Sequence, residues 1–567
     1  MRIAWTNFTG GEVAPTLTAG VYAWGIETVK LNHGIAAPTS VGVEFVRNNP
    51  DDTAPTNYRL RYKVAAVDAD GGISVASKAG STLGKHPSDW VTGNYVRIEW
   101  TAVSGATEYN VYREEAGYYG FIGVATGTSF IDNNYEADTS DTPRENWNPF
   151  ASGNNPGVVA FHQQRMVLAG CKKDPSYFYM SRTGDFENFR KSRPVQDDDP
   201  IEYMIASGAI NAVTWAASFG DLLLGTTGAE YKATGDNGVI TAKVSYVTAQ
   251  SYWGSASLPP LIIGNSVLHM QRHGSRVRDL YYSLEKDGYA GNDLSILAPH
   301  LFDGHTLIQW AYQQTPGSHI WAVRDDGLLL ALTYMKEQQI EGWTRHPTDG
   351  EVQSVVAIAA DNGDALLLVV KRTVNGQTAY FLERLADPFD QADDIRDAYF
   401  VDCGLTQKTA NPTDTMTGLE HLEGRAVAVL ADGSPVEGCI VHNGTITIPY
   451  AATTIHAGLP YTSVLSPLPM EGQLQTGVTL GKMRGYGKCV ARLFRSVGGR
   501  YGADMDHLYD FPFIPAQWGE PVPPFSGDIE CPPHGGQATN TSVWLVQERP
   551  LPWQVIAIMA DVDFSEV

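Results

Sequence analysis

The sequence predicts an all-β protein whose middle is a β-propeller of about five blades or more, flanked by smaller sandwich-like modules. Three observations predict it. Between Gly157 and Asp387, short runs rich in Val, Ile, Leu, Tyr and Trp alternate with Gly, Asp or Asn, the pattern of antiparallel hairpins. The runs recur over roughly 230 residues, and a four-stranded blade takes about 40–50. Finally, 57 glycines and 32 prolines in 567 residues supply the tight turns such a chain needs.

The elements follow in order. Residues 1–56 read as an N-terminal arm and linker, with Gly10–Gly11 and Pro15 breaking any helix and NNPDDTAP (48–55) rich in turn residues. Residues 57–135 read as a compact β-sandwich. NYRLRYKVAAVDADGGISVAS alternates through Tyr58, Leu60, Tyr62 and Val64, and VRIEWTAVSGATEYNVYREE repeats the pattern. The DADGG stretch (68–72) invites a calcium reading, but a loop of that type starting at Asp68 needs an acid where Ala79 stands. A hairpin turn is expected there. Residues 136–156 form a polar, proline-bearing linker.

The propeller is assigned to 157–397. GVVAFHQQRMVLAG (157–170) opens it, and INAVTWAASFGDLLLGTTGAEY (210–231) and IIGNSVLHMQRHGSRVRDLYYS (262–283) continue it. LIQWAYQQTPGSHIWAVRDDGLLLALTY (307–334), SVVAIAADNGDALLLVVKR (354–372) and TAYFLERL (378–385) complete it, with Asp325–Asp326–Gly327 as a hairpin reversal. Residues 398–482 read as a second sandwich-like module with strands in 424–433, 438–450 and 455–468. Residues 483–567 read as C-terminal hairpins, the last with Pro550–Leu551–Pro552 at its bend.

Composition narrows the function. A hydrophobic fraction of 43% allows large cores, and the mean hydropathy is −0.20. No apolar run reaches the ~18 residues of a spanning helix, and MRIAWTNFTGGEVAP lacks the apolar segment of a secretory signal. The net charge of −23 disfavours a protein that grips nucleic-acid phosphates. It fits either simple solubility or a surface that DNA must pass without sticking. Cys171, Cys403, Cys439, Cys489 and Cys531 are scattered, with no CxxC pair. They read as free thiols of a chain assembled in a reducing compartment.

The search for chemistry assigns no catalytic, cofactor-binding or metal residue, and no enzyme activity is expected. GxSxG, HExxH and GxxxxGK[ST] do not occur. The repeated sialidase box is missing, SRTGDFENF (181–189) being a loose echo. Asp197–Asp198–Asp199 and Asp393–Asp394 could hold a cation or supply an acid/base pair, but solvated loops are expected. His162, His269 and His300 flank apolar strands and read as satisfied edge or core residues.

Several blocks resemble known proteins. W-T-A-V-x-G-A-x-x-Y-x-V-Y-R (Trp100–Arg113) is similar to a fibronectin type III module, in which Trp100 and Tyr109 would face each other in the core. F-T-G-G-E-V-A-P (Phe8–Pro15) resembles the opening of the tail tubular protein B, or tail nozzle, family of short-tailed phages. AFHQQRMVLAG…MSRTGDFENF…DDDPIEY (160–203), VTWAASFGDLLLGTTGAEY (213–231) and GSRVRDLYYSLEKDGYAGNDLSILAPHLF (274–302) resemble that family more specifically. So do AYQQTPGSHIWAVRDDGLLLALTYMKEQQIEGWTRHPTDGEVQSV (311–355), LEGRAVAVLADG (422–433) and HAGLPYTS (456–463). The likeness covers roughly residues 100–567. It departs at the front, where family members carry a longer region ahead of the fibronectin-like module.

The resemblance implies a structural virion protein of the phage tail, assembled in the host cytoplasm. It would form a ring, most often of six copies, below the portal and its adaptor, with tail fibres or spikes attached. DNA and ejected proteins would pass through without specific binding, without a cofactor and without stable membrane insertion. Acids should then gather on the lumen, with 197–199 and 387–397 as candidates. The rival expectation is a tail spike or adhesin that binds or cleaves host glycans with its propeller.

Overall fold

The computed structural model describes residues 3–5 and 35–565, except 50, 70, 144–148, 151–152, 190, 192–194, 207, 209, 361–362, 375, 390–392, 472, 475–476, 516 and 518. Phe8–Pro15 therefore lies outside the described residues, as does part of 387–397. Among the described residues the chain is all-β, built on four-stranded antiparallel sheets, with no α-helix. It divides into two compact units: an N-terminal unit, Leu17–Gly304, and a C-terminal unit, His305–Val567 together with Met1–Thr16. The division falls inside the 157–397 segment.

The N-terminal unit opens with two sheets. Gly42–Arg47, Asn94–Glu99 and Ser129–Asp132 form one; Gly80–Gly84, Tyr58–Asp68, Ala106–Glu115 and Tyr118–Ala125 form the other. Alternation explains the shared core. Leu60, Tyr62 and Val64 from one sheet meet Val96, Ile98 and Trp100 from the other. Trp100 and Tyr109 meet edge-on with ring centroids 5.2 Å apart. The Asp68 carboxylate accepts from the Gly72 amide at 2.7 Å, closing the DADGG turn. The module starts earlier than position 57: Gly42–Arg47, expected in the arm, pairs along its whole length with Asn94–Glu99. Val43 and Phe45 pack on the core from this strand, a short alternation that the turn-rich stretch behind it masks.

Three meanders follow, each with four strands in chain order. The first runs Val158–His162, Arg165–Ala169, Tyr177–Met180, Ile201–Met204; the second Val213–Phe219, Asp221–Thr226, Glu230–Thr234, Tyr246–Ser251. The third runs Leu261–Ile263, Ser266–Met270, Val277–Ser283, Gly288–Ala290. Four antiparallel strands bring the chain back to the end where it entered. The described residues of the connectors 205–212, 252–260 and 291–304 therefore lie at one end of these sheets.

In the C-terminal unit a fourth meander runs Leu307–Gln313, His319–Arg324, Leu329–Met335, Ile340–His346. The reversal at Asp325–Asp326–Gly327 is tight, with Gly327 at φ 83°. An eight-stranded sheet comes next. Glu351–Ala360, Gly363–Val374 and Gln377–Leu385 are followed in space by Ile3–Trp5, then by Asp402–Thr417, Thr445–Leu459, Ala426–Ala431 and Ser434–Ile440. Ile3–Trp5 runs antiparallel to Gln377–Leu385, with Ile3 opposite Leu385, and parallel to Asp402–Thr417, with Ala4 opposite Gly404.

This qualifies one expectation and corrects another. Within 398–482, Asp402–Thr417, Ala426–Ala431, Ser434–Ile440 and Thr445–Leu459 pair with one another over a shared core, as a module would, but Ile3–Trp5 joins them to the sheet begun at Glu351. The longest of them, DCGLTQKTANPTDTMT, carries no apolar run and is invisible to a hydrophobicity reading. The two-sheet arrangement instead occupies the C-terminal end. Phe525–Glu530, Met483–Ser496 and Val555–Ser565 form one sheet; Ser463–Leu465, Trp544–Gln547, Arg500–Gly502 and Leu508–Asp510 form the other. Both line one core that includes Cys489, Leu493, Phe511, Cys531 and Leu545. Trp544–Gln547 and Val555–Ser565, expected as one hairpin, belong to different sheets. Pro550 and Pro552 have no N–H to give a ladder, so the chain crosses over there instead of folding back.

Candidate functional site

The nearest approach to a catalytic constellation lies between the second and third meanders. Glu230, Ser255 and His269 are all buried. The Ser255 hydroxyl donates to Glu230 Oε1 at 2.8 Å, and His269 Nδ1 lies 3.1 Å from the Ser255 hydroxyl oxygen. Ser251 also donates to Glu230, at Oε2. With its proton given to Glu230, Ser255 accepts from His269. A serine nucleophile needs the reverse, donating to the histidine while the acid orients the ring. Burial lowers His269 to about 4 and raises Glu230. The cluster is a polar strut between sheets. Trp215 covers it, with its ring 5.6 Å from the His269 ring. A Cβ on Gly225 would lie 2.1 Å from Trp215 Cε2, so that strand passes directly under the indole.

The acid run 197–199 is solvated, as expected, at Asp197 and Asp198 but not at Asp199. Asp199 is buried and accepts from the Gln196 amide at 2.9 Å. Asp198 pairs with Arg182 at 2.9 Å and Asp197 with Lys243 at 3.2 Å. Arg165, also buried, donates to the carbonyls of Ser181, Asp197 and Asp199. The cations come from distant positions in the chain, which is why the run reads as uncompensated in sequence. Asp394 accepts from the Arg396 amide at 2.9 Å, and the Asp393 carbonyl accepts from Arg495 at 2.6 Å. His162 is buried against Ser218 at 2.8 Å. His300 departs from expectation: it is exposed, because its turn is anchored by buried Leu301 and Phe302 on the other side.

A second buried charged group lies in the C-terminal unit. Arg372 holds Glu383 through two hydrogen bonds and lies 3.5 Å from Asp402. His421 Nε2 is 2.9 Å from the carbonyl of Cys403, whose own φ is 49°. Burial pushes Glu383, Asp402 and the Cys403 thiol up. Burial alone would depress Arg372, yet its carboxylate partners hold it above the usual value. With every member buried, the group ties strands together and offers nothing to solvent. His305, Asp325 and Asp326 lie close enough to share a cation. Arg324, however, already donates to Asp326 at 2.8 Å.

The feature that sequence reasoning missed lies on the surface. Ile210 is 83% exposed, Tyr252 80% and Leu297 91%, with Trp253 and Ile296 also exposed. All five sit on the connectors at one end of the three N-terminal-unit meanders. The first two connectors adjoin the central turns of the second and third meanders at this end. A Cβ on Gly254 would touch the Thr227 carbonyl and Arg272, and one on Gly228 would touch Asn211. The Arg278 guanidinium lies 3.8 Å over the Trp253 ring. The available signal was apolar residues at turn positions, in SYWGSAS and LSILAP.

No family model and no curated protein sequence matches the chain. Among solved structures it is similar to a protein from Lactobacillus plantarum, at 10% identity over 58% of this chain and 97% of that one, with a TM-score of 0.27. It is also similar to apo AztD from Citrobacter koseri, at 10% identity over 57% of this chain and 94% of that one, with a TM-score of 0.23. Scores this low carry no argument about function.

Proposed function

We propose that the chain is a structural wall subunit of a short-tailed phage tail, a nozzle-type protein that closes into a ring and conducts DNA and ejected proteins. The observation that carries this reading is the apolar end formed by Ile210, Tyr252, Trp253, Ile296 and Leu297. Exposed apolar side chains gathered at one end suit an interaction surface, and head-to-tail contacts that close make a ring. The sheets starting at Val158, Val213, Leu261, Leu307 and Glu351, about one every 50 residues, suit propeller blades. In the fifth, Ile3–Trp5 supplies a fourth strand beside three consecutive ones. A net charge of −23 suits a conduit that must not retain phosphate.

The rival is a glycan-binding spike, which the neighbouring aromatics Tyr252 and Trp253 favour. Against it, Arg278 already covers one face of the Trp253 ring. Native mass spectrometry and negative-stain imaging of the full chain, alone and with the portal adaptor, decide between them. A closed ring, with six copies expected, supports the nozzle. A stable monomer or trimer in the tail, or turnover in a glycan-release assay, overturns it.

A further inference from the structure

The five cysteines look isolated in sequence, but Cys489 and Cys531 share one site. Cys489 lies on Met483–Ser496, and Cys531 directly follows Phe525–Glu530, the neighbouring antiparallel strand. Val490 faces Glu530 and Ala491 faces Ile529, so the same register sets Cys489 opposite Cys531. The Cys531 amide donates to the Cys489 carbonyl at 2.8 Å, and the two sulfurs are 3.4 Å apart. Residues opposed in this way have Cα atoms about 5.5 Å apart, within the span that a disulfide accepts. We propose that Cys489 and Cys531 are a disulfide-forming pair that staples the C-terminal two-sheet core once the protein meets an oxidising medium.

The chemistry balances with a low-molecular-weight disulfide, RSSR, as oxidant. One protein thiolate attacks RSSR, forming a mixed disulfide and releasing one RS⁻. The second protein thiolate attacks the protein sulfur of that mixed disulfide, closing the Cys489–Cys531 bond and releasing the second RS⁻. The two protons lost by the protein thiols end on the two released RSH molecules. The Cys531 thiol donates to the Cys489 sulfur and holds Cys489 below the ordinary thiol range, which favours Cys489 as the thiolate. Both sulfurs are buried, so reaction requires local opening. Phe525–Glu530 is the edge strand of its sheet, and Pro532–Pro533 follow Cys531. An edge strand ending at two prolines is the element able to lift off without disturbing the rest. Cys171, Cys403 and Cys439 are also buried, and neither the strand pairing nor a sulfur contact brings any of them to another cysteine.

The test uses the full chain and glutathione disulfide, with and without about 1 M urea to promote local opening. After quenching with N-ethylmaleimide in denaturant, peptide mapping counts the alkylated thiols. The expected result is two fewer alkylated sites than in the untreated chain and one linked peptide pair, Cys489 with Cys531. Closing a loop of this length should lower the local unfolding equilibrium constant by roughly 10²–10³-fold. That gain should be absent in Cys531→Ser under the same treatment. Five alkylated sites in both conditions overturn the proposal. So does a stable glutathione adduct at either position with no linked pair, or a linkage between other cysteines.

Discussion

Arg372 grips Glu383 with two parallel hydrogen bonds, Nε to Oε1 at 2.6 Å and Nη2 to Oε2 at 2.8 Å, from adjacent strands of the eight-stranded sheet. Both side chains are buried. Removing Glu383 leaves the buried Arg372 facing the more distant Asp402, at 3.5 Å, without its paired hydrogen bonds. Glu383→Ala should therefore cost about 3–5 kcal/mol in denaturant unfolding of the C-terminal unit. The double change Arg372→Met with Glu383→Leu should cost less than either single change. A Glu383→Ala penalty near zero would show the pair to be solvated.

Protonation of His269 gives a pH dependence whose sign can be worked out. Its folded pKa of about 4 lies below the ordinary 6.5. The unfolded chain therefore binds the proton first as pH falls, and the neutral strut loses its advantage. Stability of the N-terminal unit should be full above pH ~6.5 and fall by up to about 1.4 kcal/mol per pH unit toward pH ~4. His269→Gln should flatten that slope. An identical slope in the variant would place the titration elsewhere.

Gly225→Ala tests the close approach of Trp215. The added methyl would lie 2.1 Å from the indole, and overpacking of this kind costs about 1–3 kcal/mol. Trp215→Leu in the same chain should recover part of the loss, a non-additivity that a double-mutant cycle reads directly.

The apolar end offers a cleaner separation of assembly from folding. Ile210→Asp with Leu297→Asp alters two side chains that are 83% and 91% exposed. Monomer stability should stay within about 0.5 kcal/mol, while native mass spectrometry should show loss of the ring. Rings that persist would move the subunit contact to another face.

Asp197→Asn with Asp198→Asn addresses the channel charge. Each acid already has a cation, Lys243 and Arg182, and such surface pairs contribute about 0–1 kcal/mol. Genome ejection timed in vitro should be unchanged at either of two salt concentrations. Slower or faster ejection that depends on salt would return this run to the lumen.

Local pattern made much of the architecture legible. Trp100, Tyr109 and the alternating Tyr58–Val64 run predict the first core, and Gly327 predicts its reversal, because these signals act within a few residues. The failures share one cause. Gly42–Arg47, Asp402–Thr417 and Ile3–Trp5 are strands by virtue of partners elsewhere in the chain; the first and last are too short to signal a strand, and Asp402–Thr417 has no apolar run. The same holds for the candidate sites. Nothing near 197–199 announces Arg165 or Lys243, and no spacing rule places Cys489 beside Cys531.

The insertion of Ile3–Trp5 between Gln377–Leu385 and Asp402–Thr417 sets a timetable for the chain. This strand precedes its two neighbours by hundreds of residues, a gap of roughly 20–80 s of synthesis at 5–20 residues per second. Once those neighbours are made, both receiving edges stay open until this strand docks, and a foreign strand could occupy the gap. A sheet built from Glu351 onward is thus completed by residues made long before it, so a bulky group attached beside Ile3–Trp5 would burden the closing of this sheet rather than the folding of the meanders ahead of it.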